Sequence, residues 1–213
     1  MKNLKFRAAT PEDVETIIPL MYSAGPDAYD YTFKTKENCP MEFLKMSFPR
    51  HHGIFSYKHH YVAEYDGKVV GGGCILKSNH ITSNTLSTLW HVFLHYGVIK
   101  GINITKKLQQ ASEICPAPEK NEQIIANVGI APDYQKKGIG KQLMYYLFEQ
   151  SNLSHPIMLD VATTNSVAEA LYAKIGFEVI SETHSSYKNN YGHIDSLRRM
   201  KLNPQALLKG SLN

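Results

Sequence analysis

The sequence predicts a mixed α/β fold, α+β in its element order, with a sheet that carries helices on both faces. Three stretches predict it. HHYVAEYDGKVVGGGCIL (59–76) is two β-rich runs around Asp66-Gly67, the pair that type I′ hairpin turns favour. EQIIANVGIAP (122–132) followed by KGIGKQLMYYLFEQS (137–151) reads as strand, loop and amphipathic helix. HPIMLDVAT (155–163) is a near-continuous apolar run that suits a strand buried on both faces. It leads into NSVAEALYAKIG (165–176), a helix with Asn165 as N-cap and Gly176 at the C′ position.

The remaining elements follow in chain order. LKFRAAT (4–10) reads as a short strand. Thr10 as N-cap, Pro11 at the first helical position and acids in the first turn then start a helix. Val14, Ile17, Ile18 and Met21 share one face of it, and Pro19 is expected to bend or shorten it. GPDAYDYTF (25–33) reads as a turn-rich aromatic connection, and NCPMEFLKMSF (38–48) as a second short helix. Gly71–Gly73 inside the hairpin suggests a bulge or a close backbone approach.

Residues 81–118 read as two helical stretches. Leu86, Leu89, Trp90, Phe93 and Leu94 stand at helical spacing in the first, TKKLQQASEI forms the second, and two prolines in CPAPEK end the pattern. A segment of about 38 residues is too short for an independent core, so it is expected as a helical insertion within one domain spanning 1–213. FEVISETHSSY (177–187) and GHIDSLRRMKL (192–202) complete the order as two more strands.

Composition narrows the function classes. The chain is 43% hydrophobic and 20% charged, ordinary for a globular protein. No run reaches the roughly 18 apolar residues of a membrane span, and the N-terminus lacks a signal-peptide core, so the protein reads as soluble and cytoplasmic. A net charge of +4 is mild, and no nucleic-acid-binding motif accompanies it. Three widely spaced cysteines without a CxxC pair give neither a disulfide framework nor a zinc site. RHHGIFSYKHH (50–60) has four histidines but no carboxylate or cysteine, and reads as a polar loop; no metal is expected.

The loop PDYQKKGIGKQLM (132–144) carries the chemistry. A strand, a sharp loop and a helix N-terminus make an anion site, because the helix dipole and unpaired backbone N–H groups face the ligand. Gly138 and Gly140 allow close approach, and Lys136, Lys137 and Lys141 add positive charge. Nucleotide motifs fail on spacing. Around Gly140-Lys141, a Walker loop needs Gly at 135 and Ser or Thr at 142, and both positions are Gln. A dinucleotide fingerprint needs Gly at 143, which is Leu.

What the loop does contain is Gln135-x-x-Gly138-x-Gly140. With its preceding strand, VGIAPDYQKKGIGKQLM resembles the acetyl-CoA-binding motif of the GNAT N-acetyltransferase superfamily. NSVAEALYAKIGFEVI resembles the next signature of that family, an Asn-opened helix ending in Leu-Tyr-x-Lys-x-Gly-Phe. The resemblance is close over 122–180 and does not cover 81–118. It implies a mostly antiparallel sheet of GNAT type, acetyl-CoA as cosubstrate, and transfer of its acetyl group to a primary amine of a small molecule or peptide by direct attack. A non-catalytic acyl-CoA sensor is the alternative.

The resemblance also implies roles. Backbone amides of Gln135, Lys136, Lys137, Gly138, Ile139, Gly140 and Lys141 would hold the coenzyme pyrophosphate. Val128 and Ile130 would pair their backbone with the pantetheine arm. Asn165 would bond to the same arm, alongside its role as an N-cap. Tyr172 would protonate the leaving thiolate, or else pack as a core tyrosine. Some relatives carry a basic Glu on the strand before the loop; here that position is Ile124. Glu122, His91, His95 and a water relay remain as candidate bases. The histidine pair at i, i+4 could face the acceptor or bind a metal, and solvation is the plainer reading. Asp27, Asp30, Tyr29, Tyr31 and Phe33 could shape the acceptor site. The insertion, with Trp90 and Phe93, could cover that site or form a homodimer contact.

Overall fold

The computed structural model describes residues 3–204. In chain order it contains β1 (Leu4–Ala8), α1 (Val14–Ser23), α2 (Pro26–Phe33), α3 (Pro40–Ser47), β2 (His60–Tyr65) and β3 (Lys68–Lys77). Then come α4 (Ser78–Ile114), β4 (Gln123–Ile130), α5 (Ile139–Gln150), β5 (Ile157–Ala162), α6 (Ser166–Ile175), β6 (Glu178–Thr183) and β7 (Leu197–Leu202). One seven-stranded sheet runs β1-β2-β3-β4-β5-β7-β6. Every neighbouring pair is antiparallel except β4 and β5.

The hairpin forms as the turn chemistry predicts. Tyr65 pairs with Lys68 across a two-residue turn, and both Asp66 (φ 50°) and Gly67 (φ 77°) are left-handed, as a type I′ turn requires. The glycine run sits where backbones crowd. A Cβ on Gly71 would lie 2.6 Å from Ile130 Cδ1, and the β2–β3 register slips beside it.

Alternation along β5 divides the sheet into two faces. Ile157, Leu159 and Val161 join α5 and α6 in one core, with Leu143, Leu147 and Phe177. On the other face Ile17, Ile18 and Met21 of α1 pack with Phe43 and Leu44 of α3 and with Val92, Tyr96 and Ile104 of α4.

The structure corrects several expectations. Residues 26–33 form a helix rather than a turn-rich connection. Pro26 in the first turn and Asp27 beside it are helix-start signals, and Tyr29 and Phe33, four residues apart, both pack into the core. Pro19 does not end α1. It lies on the exposed side, so the carbonyl of exposed Glu15 that loses its N–H partner can meet water. The insertion is two helical segments, as expected, but it begins earlier, at Ser78, and the segments meet at Gly97 (φ 71°, ψ 179°), where glycine takes a conformation closed to other residues. The last two strands are shorter than expected. Residues 184–196 between them fold back on α2, and a Cβ on Gly192 would meet the Asp27 carbonyl at 2.3 Å. Among the described residues no helix is long and apolar enough to cross a membrane.

One buried ion pair ties the second half of the sheet together. Arg199 on β7 donates from Nε to Asp160 Oδ1 at 2.9 Å and from Nη2 to Oδ2 at 2.8 Å on β5. The two side chains are only 12% and 7% exposed. Cys115 donates its thiol to the same carboxylate at 3.0 Å, and Arg199 also reaches the Pro116 carbonyl. Removing one partner strands the other charge. Asp160→Ala is expected to cost about 3 kcal/mol in urea unfolding, and Asp160→Leu with Arg199→Met to recover most of it.

Candidate active site

The site begins where β4 and β5 part. They pair only at Gln123↔Ile157 and Ile124↔Met158. Beyond that, β5 continues its ladder with β7 to Ala162, while β4 stays on β3 to Ile130. A gap therefore opens between two strands that are each secured on their outer side.

A bulge in β4 accompanies the divergence. Between the pairs Gly72↔Gly129 and Cys74↔Ala126, β3 has one residue and β4 has two. Asn127 takes the extra place at φ 55°, and Asn is among the few side chains that adopt this region readily. Such a bulge bends its strand and increases its twist. Tyr29 of α2 donates its hydroxyl to Asn127 Oδ1 at 2.9 Å, and Asn127 Nδ2 donates to Cys74 Sγ at 3.7 Å. Burial pushes both the Tyr29 phenol and the Cys74 thiol up, the latter to about 12, so both keep their protons. Gly129 stands against α1: a Cβ there would lie 2.3 Å from the Leu20 carbonyl oxygen.

Beyond the bulge, Ala131 donates its N–H to Val70 on β3 at 2.8 Å. By strand alternation, the N–H groups of Ile130 and Val128 point the other way, into the gap. Gln135 Nε2 returns to donate to the Ile130 carbonyl at 3.0 Å, which closes the loop start around a 3-10 turn at Pro132–Tyr134. Lys136 (φ 58°) and Gly138 (φ 77°) are both left-handed, and Gly138 caps α5 without a side-chain bond. The first backbone bond of α5 runs from Gln142 N to Gly138 O at 3.2 Å. The N–H groups of Gly138, Ile139, Gly140 and Lys141 thus precede the helical ladder and face outward as donors.

The side chains of the loop divide the work. Ile139 is 1% exposed and anchors the helix start in the core, so only its backbone can meet a ligand. Lys137 Nζ lies 5.1 Å from the Tyr134 ring, and Lys141 Nζ lies 5.7 Å from the Tyr145 ring. Nothing stands within 4 Å of a Cβ built on Gly138, and the nearest atom to one on Gly140 is Ile130 Cγ1 at 3.7 Å. The loop is a cradle of free donors with open space in front, which fits a pyrophosphate.

Across the gap, α6 carries the second group of expected residues. Asn165 Oδ1 accepts from Ala168 N at 3.1 Å, so it is an N-cap whose amide nitrogen stays available. Gly176 closes the helix at φ 111°. The half-buried Tyr172 ring meets Phe177 edge-on at 6.0 Å. Among the described residues its hydroxyl has no hydrogen-bond partner, and burial raises its pKa.

The remaining candidates are drawn into other duties. The histidine pair is not solvated. His91 Nδ1 and Ser47 Oγ stand 2.9 Å apart, and the His95 ring packs against Phe43 at 5.8 Å, so both fill the α3–α4 interface. Burial lowers both pKa values. Glu122 precedes the closed end of the β4–β5 pair, and its Oε2 accepts from Glu119 N at 3.0 Å. It lines a cleft of about 270 Å³ with Met158, Asp160, Ile180, Thr183 and Arg199, on the sheet face opposite α6. The suggested acceptor wall is mostly core: Tyr31 and Phe33 are 4% and 2% exposed. Asp30 accepts from both Lys34 and Tyr22, and Asp27 faces His193. The reading from sequence missed the Tyr29–Asn127–Cys74 chain; its one local signal is an Asn inside an apolar strand.

Comparison with known proteins gives this arrangement a family. The profile of the Acetyltransferase (GNAT) family matches residues 26–177. The chain belongs to the GNAT acetyltransferase family. It is 28% identical over 79 residues to the [ribosomal protein bS18]-alanine N-acetyltransferase of Salmonella typhimurium, and equally to that of Escherichia coli K12. That match takes in 36% of this chain and spans about half, 53%, of those relatives. Among solved structures, an N-acetyltransferase from Staphylococcus aureus Mu50 superimposes with a TM-score of 0.63 at 18% identity, covering 93% of this chain and all of the other. Mutant forms of a spermidine/spermine N-acetyltransferase from Vibrio cholerae give 0.60 at 18% identity, covering 99% of both chains. These structures share the GNAT fold with it.

The two loop glycines are expected to respond with opposite signs. Gly138→Ala should cost about 1–2 kcal/mol, because alanine is forced into the left-handed region. Gly140→Ala sits in the helix with room for its methyl and should gain about 0.4–1 kcal/mol. Thermal unfolding of the two variants side by side checks both.

Proposed function

We propose that this GNAT protein is an acetyl-CoA-dependent N-acetyltransferase with a primary amine as acceptor. The observation that carries the reading is the gap between β4 and β5, with the amide cradle of residues 138–141 at its mouth. The cradle supplies donors for a pyrophosphate, and the free backbone edge at Val128 and Ile130 suits an extended, amide-bearing arm. Nucleotide-triphosphate binding has no Walker spacing to support it.

When bound, acetyl-CoA supplies an acetyl group activated as a thioester. The chain's own residues then have three tasks. Gln135 to Lys141 hold the anionic end, and Lys136, Lys137 and Lys141 add positive charge to it. The N–H of Val128 or Gly129 would polarise a carbonyl lying along β4, and strand alternation, which turns that of Val128 into the gap, supports Val128. Tyr172 Oη, unpartnered and raised above the usual phenol value near 10, holds a proton at neutral pH that can pass to a sulfur of pKa about 8.5.

The proton that the acceptor amine must lose has no carboxylate at position 124, where Ile is 4% exposed. His91 and His95 are held in a helix interface. A water relay takes the role in this reading, since Glu122 stands at the closed end of the β4–β5 pair and accepts from Glu119 N. The missing strand carboxylate also favours the second reading, a non-catalytic acyl-CoA sensor. The relatives act, by name, on the alanine of a ribosomal protein and on spermidine or spermine. Both acceptors are amines, which supports the reaction class without choosing a substrate for this chain.

Calorimetric titration with acetyl-CoA, free CoA and ATP is the direct test. Saturable binding of the two coenzymes and none of ATP is expected; no coenzyme binding overturns the reading. Thiol release with a panel of amines then separates enzyme from sensor. Tyr172→Phe is expected to lower kcat about 100-fold with acetyl-CoA affinity unchanged. The acid works only while protonated, so its activity is present below its pKa and lost as pH rises through it. The corresponding limb in the wild-type kcat profile should lie above about pH 10. An unaltered kcat across pH in the variant removes Tyr172 from the mechanism.

A further inference from the structure

A groove of about 540 Å³ lies on the surface between the loop that follows α3 and the first segment of α4. Arg50, His51 and His52 line its loop bank, and Leu86, Trp90 and His91 its α4 bank. Its volume falls within the roughly 300–1,000 Å³ of small-molecule sites. None of these residues belongs to β4, to the amide cradle or to α6, so the groove is separate from the coenzyme gap.

The loop bank is held firmly. Gly53 N donates to Asn84 Oδ1 at 3.2 Å, and Ile54 N donates to Thr88 Oγ1 at 2.9 Å. Asn84 and Thr88 are only 6% and 2% exposed. Gly53 is left-handed (φ 110°), and a Cβ there would press on His91 Cε1 at 3.1 Å. Buried Ser56 donates its hydroxyl to the Arg50 carbonyl. Buried polar side chains and a glycine thus fix Arg50, His51 and His52 beside α4. A site arranged before its ligand arrives spends little of the binding energy on ordering.

The charge of the groove has no counterweight. Of the four arginines, Arg7, Arg198 and Arg199 are ion-paired, and Arg50 is in no ion pair among the described residues. Arg50 Nε donates to the Met46 carbonyl at 3.2 Å, which fixes the guanidinium and leaves its two Nη groups without a partner among the described residues. Segments 43–63 and 67–112, which supply both banks, contain no Asp or Glu. His91 is 5% exposed, and its Nδ1 is taken by Ser47 Oγ at 2.9 Å. Its Nε2 has no partner among the described residues yet is not sealed in the interior, so it opens on the groove. When Nδ1 accepts the Ser47 hydroxyl, Nε2 carries the proton and is a donor. Burial, and then Arg50 and His52 nearby, lower the His91 pKa, as positive charge without an anion beside it would.

The α4 bank adds a flat apolar surface. Trp90 and Leu86, one turn apart, are both 64% exposed. An indole face in front of a row of N–H donors is complementary to a planar ring with a negative group at its edge. A bare anion would leave the indole wet, and a neutral ring would leave the guanidinium unpaired.

We infer that this groove is a second binding site, for a small aromatic acid. One planar ring stacks on Trp90, and its carboxylate or phosphate is forked by the Arg50 guanidinium and hydrogen-bonded by the imidazoles of the groove. The guanidinium fork matches both anions in the same bidentate way. The inference is independent of the acyltransferase reading.

Trp90 is the only tryptophan of the chain, so its emission reports this groove alone. The full chain is titrated with benzoate and with phenyl phosphate. Acetate and inorganic phosphate serve as anions without the ring, and benzyl alcohol as the ring without the charge. A saturable change with an aromatic acid, half-complete in the low millimolar range or below, is expected, and none with the three controls. The tighter of the two acids tells carboxylate from phosphate. Arg50→Gln and Leu86→Glu should each weaken binding about 10-fold or more. Both positions are exposed, so the melting curves of the variants should match that of the wild type. No saturable change with either acid overturns the inference, and a change merely proportional to concentration is collisional quenching and counts as none. Controls that saturate as tightly as the acids also overturn it. So does either variant that binds as tightly as the wild type.

Discussion

Asn127 is one residue more than β3 can match, and much of the architecture follows from where that residue goes. An antiparallel ladder fixes side-chain direction with a period of two, so an unmatched residue must be expelled or absorbed as a bulge. Here it is absorbed with Asn127 in the left-handed region, a position of modest strain for an Asn. The Tyr29 hydroxyl holds the expelled side chain from below, through α2. A helix on one face of the sheet thereby stabilises the irregularity on which the gap depends. The C-terminal end of α2, where Tyr31, Thr32 and Phe33 are buried, anchors it for this task. Its aromatic side chains stack within the α1–α3–α4 core, and one of them ends in the hydrogen bond to the bulge.

The two halves of the sheet meet the gap with different chemistry. On the β4 side, the donors are backbone N–H groups, fixed by the strand and by the start of α5. On the β5 side, the groups are side chains of α6, among them an Asn whose oxygen, but not its amide nitrogen, is taken by its capping bond and a Tyr with a free hydroxyl. Fixed dipoles suit an anion that must be held in one place, since they need no reorganisation when it arrives. A side-chain hydroxyl suits a proton that must move. The Asp160–Arg199 pair lies on the far face of β5 and binds that strand to β7. With this brace, β5 keeps its ladder with β7 to Ala162 while its inner edge pairs with no strand beyond Met158.

Much of this was legible in the residues because it is local. Asp66-Gly67 dictates its turn, Asn165 and Gly176 dictate the ends of α6, and Gly138 dictates the sharp start of α5; each is a matter of a few dihedral angles. The illegible parts are those decided by distant contacts. GPDAYDYTF holds turn-forming residues, yet Pro26 and Asp27 also start helices, and packing of Tyr29 and Phe33 against Phe43 of α3 and Phe55 settled the choice. His91 and His95 show the same limit. Their spacing says only that they share a face of α4; that the face turns inward is decided by Ser47 and Phe43, more than forty residues away in sequence. The role of Asn127 depends on a register count across two strands, which no single segment contains.

The insertion completes the logic from the outside. The 37-residue helical element between β3 and β4, broken at Gly97, has one side that the core needs and one that it does not. The needed side buries Val92, Tyr96 and Ile104 over α1 and α3, and through Tyr96 it donates a hydrogen bond to the Phe33 carbonyl at the end of α2. The helix that closes the core is thus also tied to the helix that carries Tyr29. α4 is thus two contacts from the bulge: α4 to α2 through Tyr96, and α2 to Asn127 through Tyr29. The first of these hydrogen bonds is buried and the second half-buried, so the helix that closes the core and the strand that shapes the gap belong to one bonded framework.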